Sequence, residues 1–182
     1  CLIERGRKQG DPLSSLLFNC VSESLMRKLK SSWSQRRMGI PLQPGNCERI
    51  TNIRFADDVL LMSTSLSHIQ KMISDLSEEA AKIGLQLHPD KTKILHNNCY
   101  TTTRRPRLPQ HVHVNGMTID VLTPLDNTKY LGRKLSFSDP HRTEIENRIA
   151  SAWRKFFLLK QELTGPRYCL TDRLRLFHGT VT

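Results

Sequence analysis

Residues 50–62 read ITNIRFADDVLLM, and the fold turns on this stretch. Ile50 to Phe55 has the make-up of a β-strand, and Val59 to Met62 is a short continuous apolar run of the kind a buried strand carries. Ala56, Asp57 and Asp58 stand between them. A tight turn there makes the stretch a β-hairpin with two adjacent carboxylates at its tip. Such a pair repels itself unless a cation sits between the charges or water screens them. Two divalent ions about 3.5–4 Å apart use carboxylates of this kind to clamp an in-line phosphoryl displacement. The plainer alternative is a solvated turn, for which aspartate is simply a good residue.

Upstream of the hairpin, residues 7–12 read RKQGDP. Asp11 suits a helix cap and Pro12 the first helical position. Leu13, Leu16, Leu17, Cys20, Val21, Leu25 and Leu29 then recur at helical spacing, which predicts a helix to about residue 31. Gly39, Pro41, Pro44 and Gly45 mark a turn region with a short strand at 38–43. Downstream, Leu66, Ile69, Met72, Ile73, Leu76, Ala80 and Ile83 predict a second amphipathic helix, stopped by Gly84. Strands are expected at 85–87 and 92–95, around His88-Pro89-Asp90, and a basic loop over 97–111. Asn115-Gly116, between Val112–Val114 and Met117–Leu122, is a strong hairpin signal.

Lys129 to Leu135 is a further strand candidate. Asp139-Pro140 repeats the cap-plus-proline start, and Ile145, Ile149, Ala152, Phe156, Leu159 and Leu163 predict one long helix ended by Gly165-Pro166. A last helix is expected from about Thr171, with Leu174 and Phe177 inward. Helix, hairpin, helix, several strands and two helices read as an α+β fold rather than regular βαβ.

The chain has 182 residues and a formal net charge of +11. The charge is uneven: residues 1–40 net +5, residues 41–100 net −1 and residues 101–182 net +7. Such an excess favours a polyanionic partner, and a near-neutral centre between basic ends suits a metal-binding carboxylate site within a nucleic-acid cleft. A generally basic surface accounts for it equally well. No apolar stretch approaches the roughly 18 residues of a membrane span, so no membrane partner is expected. The five cysteines, at 1, 20, 47, 99 and 169, are odd in number and lack C-x-x-C spacing. They suit a reducing compartment better than a disulfide framework or a zinc ribbon. His111 and His113 read as outward residues of a strand that alternates with Val112 and Val114.

Taken in order, Gln9-Gly10-Asp11-Pro12-Leu13-Ser14, then Phe55-Ala56-Asp57-Asp58, then Gly84-Leu85 leading to Lys91-Thr92-Lys93, then Tyr130-Leu131-Gly132 form a series. That series resembles the reverse transcriptases, RNA-directed DNA polymerases, and most closely those of non-LTR retrotransposons. QGDPLS followed at this distance by FADD carries most of the resemblance, which covers almost the whole chain.

The resemblance implies a palm-like antiparallel sheet with packed helices over 1–136, and the helical start of a thumb over 137–182. It implies that Asp57 and Asp58 hold Mg2+ or Mn2+ and are catalytic. Gln9, Gly10, Asp11, Pro12 and Ser14 would then meet the incoming nucleotide and the template, joined by Lys91 and Lys93. Tyr130, Leu131 and Gly132 would belong to the hairpin that grips the primer end. Arg142, Arg148, Arg154 and Lys155 would face the product duplex. The implied partners are an RNA template, a DNA primer and deoxynucleoside triphosphates. The resemblance is compatible with a nuclear location and fixes none.

Two features depart from the family pattern: Phe55 stands where many relatives have Tyr, and Ser15 where many have Pro. The family also needs an aspartate in an F-x-x-D segment ahead of the QGDP helix, and only eight residues precede Gln9. Together with the absence of an initiator Met, this leads us to expect a piece of a longer protein that is inactive alone. A non-catalytic nucleic-acid-binding remnant of such a polymerase stays open as the alternative.

Overall fold

The computed structural model describes residues 12–43, 48–97 and 108–181. The chain forms two compact units, one of residues 1–93 with 109–120 and the other of residues 94–108 with 121–182. Helices and small antiparallel sheets are mixed along the chain, as the α+β reading expects.

In the first unit α1 spans Pro12–Gln35 and α2 spans Leu66–Lys82. The second half of α1 supplies the core: Met26, Leu29 and Trp33 are buried, with Trp33 fully enclosed. They pack with Met38 and with Met72 and Leu76 of α2, and Val59 and Leu61 lean on the cluster. Each such burial contributes about 1.5–3 kcal/mol. The helical periodicity also predicts an inward face for the first half of α1, but Leu13, Leu16, Leu17 and Val21 are exposed. The cluster with α2 draws on α1 only from Leu25 onward.

Between the helices lie β1 (Ile40–Pro41), β2 (Arg49–Ile50), β3 (Asn52–Phe55) and β4 (Asp58–Leu61). β1 pairs antiparallel with β2, and β3 with β4. The strand expected over 50–55 is therefore split at Thr51. That residue is buried, and its carbonyl accepts from the Met62 amide at 2.8 Å. Gly39 is required beside it: its φ is +99°, and a Cβ there would stand 2.6 Å from the Ile50 carbonyl oxygen.

After α2, Gly84 takes φ +77° and Leu85 donates to the Ala80 carbonyl, which closes the helix. The strand expected at 85–87 does not form; the Leu85 amide is spent on the helix end, and Leu87 packs against the core instead. A 3-10 turn at Pro89–Lys91 leads into β5 (Lys93–Leu95). β6 (His111–Val114) and β7 (Met117–Leu122) form the expected hairpin, with Val112 and Val114 buried and His111 and His113 exposed. Asn115 at its turn exchanges hydrogen bonds with Ser74 of α2, at 3.1 Å and 3.3 Å.

The second unit carries β8 (Thr128–Tyr130) and β9 (Arg133–Leu135), then α3 (Pro140–Leu158), α4 (Lys160–Thr164) and α5 (Leu170–Thr180). Lys129–Leu135, a strand candidate by its residues and part of a hairpin by the resemblance, is a hairpin. Leu131 at φ +50° and Gly132 at φ +77° reverse the chain. Asp139 caps α3 by accepting from the Arg142 amide at 3.0 Å, as the cap-plus-proline start predicts. The long helix breaks at Leu159, and Leu163 is buried beyond the break. Ile145 and Ile149, which mark the periodicity of that helix, are exposed, and so is Leu174, read as inward. In their place the polar Asn147 is the buried residue of α3, donating to the Gly132 carbonyl at 3.2 Å.

Candidate active site

Asp57 and Asp58 sit where the hairpin reverses. The turn is Ala56-Asp57, and Asp58 opens β4 opposite Phe55. Two residues close it because Ala56 adopts φ +53°, a left-handed conformation that costs an L-residue roughly 1–2 kcal/mol. Both carboxylates are exposed, and neither has a side-chain partner among the described residues. Adjacent carboxylates are hard oxygen donors of the kind Mg2+ takes when one or two protein groups share it with substrate phosphates. The donor set fits such an ion. Among the described residues no third His, Cys, Asp or Glu stands close enough to join them.

The hairpin is fastened to α1 by its own arginine. Arg54 faces α1 from β3, and its Nη2 donates to Glu23 Oε2 at 2.6 Å. Arg27 holds the other oxygen of the same carboxylate at 2.7 Å. Hydrogen bonding from Arg27, then Arg54, keeps the Glu23 carboxyl below its ordinary range. Sequence reasoning missed this clamp. The signal was Arg54 itself, a charge on the face of β3 that also carries the core-facing side of the hairpin through its pairing with Val59.

Of the other expected site residues, Gln9, Gly10 and Asp11 lie outside the described residues. Pro12 and Ser14 lie in the first turn of α1, and only their backbone is described. Lys91 ends the 3-10 turn, exposed, with no side-chain partner among the described residues. Lys93, two residues on, is tied to Asp120 of β7, whose other oxygen meets His111 Nδ1 at 3.0 Å. The Lys93 ammonium first, and His111 after it, hold the Asp120 carboxyl below its ordinary range. Asp120 was not singled out from sequence, because its partners come from 27 and 9 residues away.

Tyr130 ends β8 opposite Arg133, and Leu131 and Gly132 form the β8–β9 turn in the second unit, with Leu131 exposed. Glu144 braces this hairpin from α3: it accepts from the Lys134 amide at 3.0 Å and from Arg148 Nε at 3.0 Å. Of the basic residues on α3, Arg142 and Arg148 are paired to Glu146 and Glu144. Arg154 is turned onto its own helix, at the Ala150 carbonyl and Ser151.

Comparison with known proteins gives one family. The sequence signature described as reverse transcriptase (RNA-dependent DNA polymerase) matches residues 1–135. An uncharacterized transposon-derived protein of Caenorhabditis elegans is 30% identical over 112 residues, 61% of this chain and 38% of that protein. The retrovirus-related Pol polyprotein of a type-1 retrotransposable element R2 from Popillia japonica is 27% identical over 189 residues, 97% of this chain and 28% of its own length. The corresponding polyprotein of the type-2 element R2DM of Drosophila melanogaster is 34% identical over 137 residues, 70% of this chain and 11% of its own. The chain thus spans well under half the length of each of these relatives.

Proposed function

We propose, from the premise that this chain belongs to the reverse transcriptase (RNA-dependent DNA polymerase) family, that it is the later palm and the start of the thumb of a non-LTR retrotransposon polymerase. Residues 1–136 form the palm part and 137–182 the thumb part. The reaction is RNA-templated DNA synthesis, in which a primer 3′-hydroxyl attacks the α-phosphate of a deoxynucleotide and pyrophosphate leaves. The observation that carries this reading is the pair of carboxylates, Asp57 and Asp58, without side-chain partners among the described residues, at the turn of a clamped hairpin in a chain that matches the family.

Asp57 is the main ligand for Mg2+ or Mn2+ and Asp58 the supporting one. Bound there, the metal supplies positive charge to the transferring phosphoryl group and to the attacking and leaving oxygens. The chain's own residues do the positioning, from which such reactions gain most of their rate. Gln9 to Ser14 meet the nucleotide and template, with Gly10 allowing close approach of backbone to a base pair. Lys91 serves the triphosphate better than Lys93, because Lys93 is bound to Asp120. Tyr130, Leu131 and Gly132 hold the primer end. We expect the 182 residues alone to be inactive, since a two-metal site draws carboxylates from more than one strand.

The test is primer extension on an RNA template by a longer protein that carries its upstream segment. Extension that is lost in Asp57→Ala, with RNA–DNA binding kept, supports the reading. Undiminished extension by a folded Asp57→Ala protein refutes the metal role. Binding without extension by the longer protein makes the chain a non-catalytic nucleic-acid-binding remnant. Robust Asp57-dependent synthesis by the 182 residues alone refutes the expected inactivity.

A further inference from the structure

β3 and β4 are four residues each, and among the described residues they pair only with one another. A two-stranded hairpin alone is marginally stable in water, so the place of its turn depends on what the hairpin is tied to. The end away from the turn is held. The Met62 amide donates to the Thr51 carbonyl at 2.8 Å, and Val59 and Leu61 lean on the core. The turn end is open. Phe55 is 66% exposed, and Ala56, Asp57 and Asp58 are exposed with it. Among the described residues, Arg54 is the last on β3 ahead of the turn whose side chain has a polar partner on another element.

Side chains opposite one another in an antiparallel pair share a face, and successive ones alternate. Phe55 and Asp58 thus stand on one face of the hairpin, and Arg54 and Val59 on the other, toward α1. The Arg54 guanidinium grips α1 from the face opposite Asp58. Its Nη2 donates to Glu23 Oε2 at 2.6 Å, while Arg27 Nε donates to Glu23 Oε1 at 2.7 Å. Both oxygens of Glu23 are used, which fixes the plane of the carboxylate. Hydrogen bonds between charged groups are roughly twice as strong as neutral ones. Glu23 stands three residues before the buried Met26, so the tie reaches the part of α1 that the core holds. Arg54 is also the cation nearest in sequence to Asp57 and Asp58. Engaged by Glu23, it leaves both carboxylates to a metal ion.

We propose that Glu23 and Arg54 are positioning residues for the carboxylate turn: acting through β3, they set where Asp57 and Asp58 stand for the metal, and neither touches the reacting atoms. The inference rests on the polymerase reading above and assigns to that reaction two residues outside its metal, nucleotide and primer contacts. Displacing a reacting group by about 1 Å can cost on the order of 100-fold in rate, so a tie this close to the turn bears on turnover as well as on folding.

The experiment has two arms. In the first, amide hydrogen exchange is measured on the 182-residue chain without metal. Arg54→Gln and Glu23→Ala should each speed exchange over residues 55–58 by about threefold or more, the scale of a partly exposed ion pair, and leave α2 within about twofold. In the second, primer extension is measured on the longer protein that carries its upstream segment. The same variants should lower kcat about tenfold or more, raise the Mg2+ concentration for half-maximal rate, and leave the KM for deoxynucleotide within about twofold. Arg54→Lys should recover most of both losses, because Glu23 is met by one nitrogen of Arg54 rather than by a fork. Lys82→Gln, which breaks an exposed ion pair on α2, should match the wild type in both arms. Melting midpoints verify folding, and Glu23→Asp, which keeps the charge on a shorter arm, carries the test if the other variants misfold. Unchanged exchange at the turn overturns the proposal. So does faster exchange with kcat intact, or a loss of kcat matched by equally faster exchange in α2. Undiminished extension by Asp57→Ala, or none by the longer wild-type protein, overturns the polymerase reading and this role together. Extension lost in Asp57→Ala but kept in Arg54→Gln and Glu23→Ala overturns this role alone.

Discussion

The indole Nε1 of Trp33 donates to Asp75 Oδ2 at 3.1 Å, which joins the two long helices of the first unit at a fully buried ring. Arg36 meets the same oxygen at 3.1 Å, and Lys71 meets the other at 3.0 Å. A largely buried carboxylate is costly unless it is paired and hydrogen-bonded. Here two cations and the indole satisfy it, and the indole would itself be an orphaned donor without Asp75.

Trp33→Ala should therefore cost about 3–5 kcal/mol, the range for emptying a large aromatic site. Trp33→Phe should cost less but leave Asp75 short of one donor, about 1–3 kcal/mol. Urea unfolding followed by circular dichroism measures both. A loss below 1 kcal/mol for Trp33→Ala would show that α1 and α2 do not pack through this ring.

At the carboxylate turn, Ala56→Gly should stabilise the chain by up to about 1 kcal/mol. The left-handed φ of +53° costs alanine roughly 1–2 kcal/mol, and the extra freedom of glycine when unfolded returns about 0.5–1 kcal/mol of that gain. A higher melting midpoint for the glycine variant is the expected result. A clear fall would mean that Ala56 is not left-handed.

Lys91 and Lys93 should separate in the longer enzyme. Lys91→Ala should raise the KM for deoxynucleotide and leave the melting midpoint unchanged. Lys93→Ala should lower the midpoint, and Asp120→Asn should do the same, because each breaks the same ion pair. Equal effects of both lysines on KM, with neither affecting melting, would contradict this division.

Acid should loosen both units. The carboxyl of Asp120 lies below its usual 3.8 through Lys93 first and then His111. That of Glu144 lies below its usual 4.5 through the Lys134 amide first and then Arg148. A carboxyl with a depressed folded value binds its proton less readily when folded. Its contribution is complete above the ordinary value and is lost as pH falls through the folded one. Melting midpoints should be flat down to about 4.5 and fall below it, less steeply in Asp120→Asn and Glu144→Gln. A midpoint that rises with acid would reverse the sign assigned to these groups.

Asn147→Ala should release the β8–β9 turn from α3, since Asn147 Nδ2 is the buried donor to the Gly132 carbonyl. A cost of about 0.5–1.5 kcal/mol is expected, the net worth of one hydrogen bond, because Gly132 is exposed and water can take its carbonyl. Hydrogen exchange at the turn amides should quicken while exchange in α2 stays the same.

Local signals in the sequence carried the elements that local chemistry decides. Asn115-Gly116 and Asp139-Pro140 name a hairpin and a helix start, and both stand where expected. The 55–58 turn was legible from the two apolar runs around it. What escaped depends on distant partners. Leu85–Leu87 has strand composition, but its first amide caps α2. By its residues Lys129–Leu135 reads as a strand, because Leu131 gives no hint that it will turn left-handed, and only the resemblance names a hairpin there. Periodicity marks Ile145 and Ile149 as a face, yet it cannot say whether anything covers that face, and both are exposed. Within the site, adjacent carboxylates are visible in any reading of the chain. The anchors Glu23 and Asp120 become visible only when residues 31 and 27 positions away are brought beside them.

The clamp between Arg54 and Glu23 makes α1 a ruler. Pro12, where the QGDP segment enters the helix, and Glu23, where the carboxylate hairpin is fastened, lie on one continuous rod about 16 Å apart along its axis. The interval between Pro12 and the point where the hairpin is fastened is therefore set by a count of helical residues. A change of length outside α1 leaves that count as it is. One residue added between Pro12 and Glu23 would instead turn the Pro12 end by about 100° relative to the clamp, because the core holds α1 from Leu25 onward.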